Sequence, residues 1–159
     1  MRRSSRFVAA AVCLAALAAC DTAAPAATTP PPAGPEHNAG DVAFVEALIP
    51  HHEVGIELAE EVAKQPDHQV LAEAIISTER DEITRMTGWL AIWGVTPSSA
   101  SARPLPKGDP VKALAAHQEE AIALAQQEQA QGTNRGALDF AKQVIESRTA
   151  EASQLRSAQ

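Results

Sequence analysis

Two adjacent histidines, His51 and His52, follow Pro50 directly inside a stretch whose apolar spacing is helical. Neutral imidazole is the commonest side-chain metal ligand, so the pair raises coordination of a transition metal as its chemistry. Neighbouring helical residues point about 100° apart, so these rings cannot grip one ion as an i, i+4 pair does. Other helices must supply further donors. Inward positions of the right type are Glu79, Glu82 and Met86 in the next helical segment and His117 in the one after. Imidazole with carboxylate suits Cu(II) or Zn(II), and a thioether adds Cu(I) character. The expected metal ligands are therefore His51, His52, Glu82, Met86 and His117, with Glu79 and Glu82 also able to orient the imidazoles. A lone inward histidine is more often a core residue satisfied by a carbonyl or carboxylate, which applies with most force to His117. His37 and His68 fall at helix starts and are expected to be solvated.

Four helical segments have to position these groups. Asn38 with Asp41 three residues on has the form of an N-cap with an acidic first turn, opening a helix to about Lys64. Its seam reads Phe44, Leu48, His51, Gly55, Leu58 and Val62, with Glu53, Glu57, Glu60 and Glu61 on the outer face. Pro50 lacks an N–H, so a bend is expected just before the histidines. After Gln65-Pro66-Asp67 a second helix runs to about Trp93, with a seam of Ala72, Ile76, Glu79, Ile83, Met86, Leu90 and Trp93, and Gly94 stops it. A Ser- and Pro-rich connection leads to a third helix, about Pro110 to Gln131. Beyond Gly132-Thr133-Asn134 a fourth follows Leu138, Ala141, Ile145, Arg148, Ala152 and Leu155 to about Arg156. No stretch alternates apolar and polar residues as a strand would, so the fold class is all-α, a four-helix up-down bundle.

The first 20 residues have the form of an export signal. Arg2, Arg3 and Arg6 precede an apolar run from Phe7 to Leu17, and Leu17-Ala18-Ala19-Cys20 has the pattern of a lipobox, so Cys20 is the expected lipidation site. Residues 21–36, rich in Ala, Thr and Pro, are expected to be a disordered tether, leaving 37–159 as the bundle domain. The expected location is extracytoplasmic, on the bacterial cell membrane through the lipid anchor. Both cysteines, Cys13 and Cys20, precede the domain, so packing or a bound ion must hold it together. The formal charge of −7 becomes more negative once the signal arginines are removed. That balance argues against nucleic acid and against polybasic adhesion to anionic lipid, and is compatible with cations.

The chain also aligns with itself. His51 to Ala59 lines up with His117 to Ala125, Leu71 to Ile76 with Phe140 to Ile145, and Glu82 and Met86 with Glu151 and Leu155. The bundle thus reads as two degenerate helix-pair repeats in which His51 and His117 are equivalent. Asp41-x-x-Phe44, Ile49-Pro50-His51-His52, Glu82-Ile83-x-x-Met86-x-x-Trp89-Leu90 and Trp93-Gly94 together resemble the bacterial domain-of-unknown-function family 305, with its CopM-like members. The resemblance implies a ferritin-like four-helix bundle, exported and often lipid-anchored, that binds copper or related ions through His and Met. This chain carries Leu48 and Leu58 where that family commonly has methionine, and His117-Gln118 where it has a second histidine pair.

Enzyme chemistry finds little support. No Glu-x-x-His of a di-iron bundle, thiol nucleophile in the domain, phosphate loop or Gly-x-Ser-x-Gly elbow is present. The expected function is sequestration or buffering of a transition metal, copper first and zinc second, with homo-oligomerisation open. The competing expectation is a metal-free module that binds another protein of the cell envelope.

Overall fold

The computed structural model describes residues 34, 36–97 and 105–157. The expected signal, its Cys20 and nearly all of the expected tether lie outside the described residues. Four helices are present: α1 (Ala39–Val62), α2 (Gln69–Trp93), α3 (Pro110–Gln131) and α4 (Arg135–Ser157).

Their ends follow local chemistry. The Asn38 side chain accepts from the Gly40 and Asp41 backbone N–H groups at 2.7 and 3.0 Å, and Asp41 accepts in return from Asn38 N at 2.6 Å. This reciprocal cap satisfies N–H groups that a helix start leaves orphaned. Gly94 closes α2 at φ +69°, a left-handed conformation that costs glycine little. Asp109 caps α3 with Pro110 in the first position, and Asn134 Oδ1 accepts from Ala137 N at 3.0 Å at the start of α4. α1 runs unbroken through Pro50.

α1 packs against α2 and α3, and α3 packs against α4. The up-down relation holds inside each helix pair. Between the pairs, the start of α1 meets the end of α3, where Asn38 Nδ2 donates to the Gln131 carbonyl at 2.8 Å. α3 is therefore antiparallel to α1, and α2 ends at the opposite end of the bundle from the start of α3. The two ends joined by segment 94–109 therefore lie a helix length apart, about 36 Å for a helix of this length. At up to about 3.3–3.6 Å per residue the segment is long enough, and one such crossover is what distinguishes a ferritin-like bundle from one with short loops throughout.

The core is divided. One apolar cluster gathers Phe44, Leu48, Met86, Trp89, Leu90, Phe140 and Val144 with their neighbours, and the other Leu58, Val62, Ile75, Val111, Leu114 and Leu155. Trp89 meets the Phe140 ring edge-on at 5.4 Å and helps to join α2 to α4. The buried stripe of α2 keeps Ala72, Glu79, Met86, Leu90 and Trp93 of the expected seam and shifts toward its flank: Ile75, Glu82 and Trp89 are buried, while Ile76 and Ile83 are partly exposed. Two histidine expectations are also corrected. His68 is only 7% exposed, because the tight turn that bonds its N–H to the Gln65 carbonyl at 3.0 Å sets the start of α2 onto the bundle. His37 is half-buried and stacks on Trp93 at 4.9 Å.

A second polar feature ties the bundle end together. Asp41 also accepts from Thr133 N and Asn134 N at 3.0 and 2.9 Å, and the buried Glu128 carboxyl interacts with it electrostatically. Burial opposes ionisation of Asp41, but these donors outweigh it and hold the group below its usual range. Glu128, buried and facing that negative charge, is pushed up to about 8. Its neutral form therefore contributes stability that is complete below the unfolded value near 4.5 and is lost as pH rises through about 8. Glu128→Gln keeps a neutral donor and removes this dependence. Its melting temperature should exceed that of the wild type at about pH 9 and approach it at about pH 5, as read by circular dichroism melts.

Candidate metal centre

A layer of polar residues crosses the bundle between the two apolar clusters, and each helix contributes: His51 and His52 from α1, Glu79 and Glu82 from α2, His117 and Gln118 from α3, and Arg148 and Glu151 from α4. All but Glu151 are buried. Gly55 lies one turn beyond the histidines, and a Cβ there would collide with the Glu79 carboxylate, so this glycine provides the room in which Glu79 is packed.

The angle between adjacent helical positions separates the two α1 histidines. Their ring centroids are 6.3 Å apart with planes at 64°. His51 faces α3: its ring stacks on that of His117 at 3.6 Å with planes 12° apart, and the His117 Nε2 lies 2.9 Å from the His51 carbonyl oxygen. Donation of Nε2–H to that carbonyl leaves Nδ1 as the acceptor atom of the His117 ring. Glu120, one turn beyond His117, brings Oε2 to 3.8 Å from His51 Nε2. One ligand atom from each of His51, His117 and Glu120 lies within 4.8 Å of the other two.

Two imidazoles and a carboxylate fit a copper or zinc site that keeps a position open to solvent or a further ligand. Donors must approach to about 2.0–2.2 Å of such an ion, so the group has to close inward. The Glu120 side chain, 58% exposed, is free to swing in, whereas the two rings are held by packing.

His52 faces α2 and belongs to a different network. Its Nε2 lies 2.8 Å from Glu82 Oε2, and the same Glu82 oxygen accepts from the Arg148 guanidinium. Arg148 is fully buried; it donates to Glu151 at 3.1 and 3.2 Å and has Glu79 Oε1 at 3.8 Å from its Nε. Burial drives His52 toward the neutral form despite the Glu82 carboxylate beside it. For Glu82 burial acts the other way, but the His52 hydrogen bond and the Arg148 charge outweigh it and keep the group ionised. Burial pushes Glu79 up to about 8, with Arg148 only partly offsetting it, so Glu79 is a neutral acid at pH 7. Gln118 Nε2 donates to its Oε1 at 3.4 Å.

Of the five expected ligands, the structure brings His51 and His117 together, pairs His52 with Glu82, and places Met86 fully buried in the apolar cluster beside Phe44 and Trp89. Sequence reasoning missed Glu120 and Arg148. The i, i+3 spacing of His117 and Glu120 was the available signal for the first, and a lone cation on the apolar line of α4 for the second.

Comparison with known proteins agrees with this architecture. Residues 41–110 match the family model described as a domain of unknown function (DUF305). No curated protein sequence matches the chain. Among solved structures, the fold is similar to CopM in the Cu(II)-bound form, at TM-score 0.66 and 21% identity over 74% of this chain and 93% of that one. It is also similar to CopM in the Ag-bound form obtained by co-crystallisation, at TM-score 0.62 and 21% identity over the same shares. A DUF305 fragment from Deinococcus radiodurans gives TM-score 0.64 at 18% identity, over 80% of this chain and 97% of the fragment.

The Arg148 network has a direct consequence for stability. Arg148→Met should cost about 3–5 kcal/mol at neutral pH, because Glu82 and Glu151 lose their buried counter-charge. Part of that loss should be recovered as pH falls and both carboxylates protonate, which denaturant midpoints at about pH 7 and about pH 4 would measure.

Proposed function

We propose that this DUF305-type bundle binds a transition-metal ion, copper first and zinc second, at His51, His117 and Glu120. The observation that carries the reading is the convergence of equivalent histidines from the two repeats onto one seam, with a flexible carboxylate one turn away. The fold likeness to a protein solved with Cu(II), Cu(I) and silver supports the same reading. The acidic balance of the chain favours cations over anionic partners. The proposed role is sequestration or buffering without catalysis. The lipobox-like end of the N-terminal stretch supports an exported protein held on the cell membrane through Cys20. No helix among the described residues is long and apolar enough to cross a membrane.

His52 has a structural part in this reading. Its contact with Glu82, which Arg148 holds from the other side, fixes the rotation of α1, and that rotation turns His51 toward α3.

Calorimetric titration of Cu(II) and Zn(II) into the wild type and a His51→Ala/His117→Ala variant tests the proposal. The variant should bind at least about 100-fold more weakly, and metal should raise the wild-type melting temperature in proportion to RT ln(1 + [L]/Kd). Equal binding by both proteins would sink it. Affinity should also fall as pH is lowered, because protons compete with the metal for the imidazole nitrogens.

A further inference from the structure

We propose that the His51–His117–Glu120 site is selective by valence: it takes divalent ions of the Cu(II) and Zn(II) class and does not retain monovalent Cu(I) or Ag(I). This rests on the metal-binding reading above and deepens it.

Three observations lead there. The first is donor softness. Thioether and thiolate select monovalent copper and silver, whereas imidazole and carboxylate suit divalent ions. The chain has two cysteines, Cys13 and Cys20, both before the domain, and two methionines, Met1 and Met86. Met86 is fully buried among Phe44, Leu48 and Trp89, on the helix that His52 faces and His51 does not. No soft donor among the described residues belongs to the site.

The second observation is ring geometry. A two-coordinate monovalent ion holds two nitrogens on opposite sides of itself, with their lone pairs collinear. The His51 and His117 rings are stacked face to face, 3.6 Å apart and within 12° of parallel. Their in-plane lone pairs lie in separate parallel planes and cannot become collinear without dismantling the stack. Two neighbouring, cis positions on one ion require only a tilt of each ring, and cis positions belong to ions that take four or more ligands.

The third is the carboxylate. Glu120 supplies a hard, anionic oxygen whose attraction grows with the charge of the ion. Its exposed side chain can close over the stacked pair and leave a further position for water.

The test titrates Cu(II), Zn(II) and Ag(I), the last as an air-stable monovalent probe, into the full chain and into three variants: His51→Ala/His117→Ala, Glu120→Gln and Met86→Leu. Electron paramagnetic resonance reports the nitrogens bound to Cu(II). Wild type should bind Cu(II) with a two-imidazole nitrogen signature that the double variant lacks, and Glu120→Gln should weaken it about 10- to 100-fold. Ag(I) should bind wild type and double variant alike, and Met86→Leu should leave all three ions unchanged. Glu120→Gln sits at an exposed position, so its result stands even if the double variant misfolds. Silver binding as tight as that of Cu(II) and dependent on His51 and His117, or silver binding weakened in Met86→Leu, would overturn valence selectivity while leaving metal binding intact. Loss of histidine-dependent binding for every ion would overturn both proposals.

Discussion

A guanidinium with no exposed surface is the constraint on which the middle of this bundle depends. Removing such an ion from water costs several kcal/mol even after relaxation, so Arg148 is tolerable only while carboxylates surround it. Glu82 and Glu151 contact it directly and Glu79 lies just beyond hydrogen-bonding distance. The requirement sets the register of α4 against α2. Because Glu82 also holds His52, it sets the rotation of α1 as well. Once His52 is turned to α2, the angle between adjacent helical residues leaves His51 facing α3. The candidate metal centre thus owes its orientation to a charge network that contains none of its three residues.

The same layer shows how two similar halves come to do different work. Aligning Glu82 with Glu151 places Glu79 opposite Arg148, and aligning His51 with His117 places His52 opposite Gln118. A symmetric layer would set acid against acid across the α2–α4 seam. Arginine at one of the matched positions resolves that repulsion, and protonation of Glu79 limits the remaining negative charge. The equivalent histidines persist on the α1–α3 seam, where pseudo-twofold packing stacks one ring on the other. The family match covers residues 41–110, whereas the fold likeness extends over most of the chain. Packing requires only small apolar residues at the right spacing in the second pair, so Ala-rich helices keep the shape after the sequence pattern has faded.

Much of this architecture was legible in the chain because it is local. The Asn38–Asp41 cap, the Gly94 stop, the Pro110 start and the apolar seams are set by backbone chemistry and helical period, and they recur in the structure, with the buried stripe of α2 shifted toward Ile75 and Trp89. The inward placement of His51, His52 and His117 follows from the same period, and the self-alignment pairs His51 with His117. Glu120 was not legible. An exposed glutamate on an outer helical face has the pattern of a solvated residue, and only the approach of α1 gives it a histidine to face.

The sequence by itself determined the class of fold, the helix boundaries and the set of side chains turned inward, since each depends on residues within a turn or two of one another. Tertiary structure alone decided the direction of α3 relative to α1, which histidine meets which neighbouring helix, and which carboxylates surround Arg148. Those outcomes depend on rotations and registers between helices far apart in the chain. There a shift of one residue turns a side chain by about 100° and changes every partner it meets.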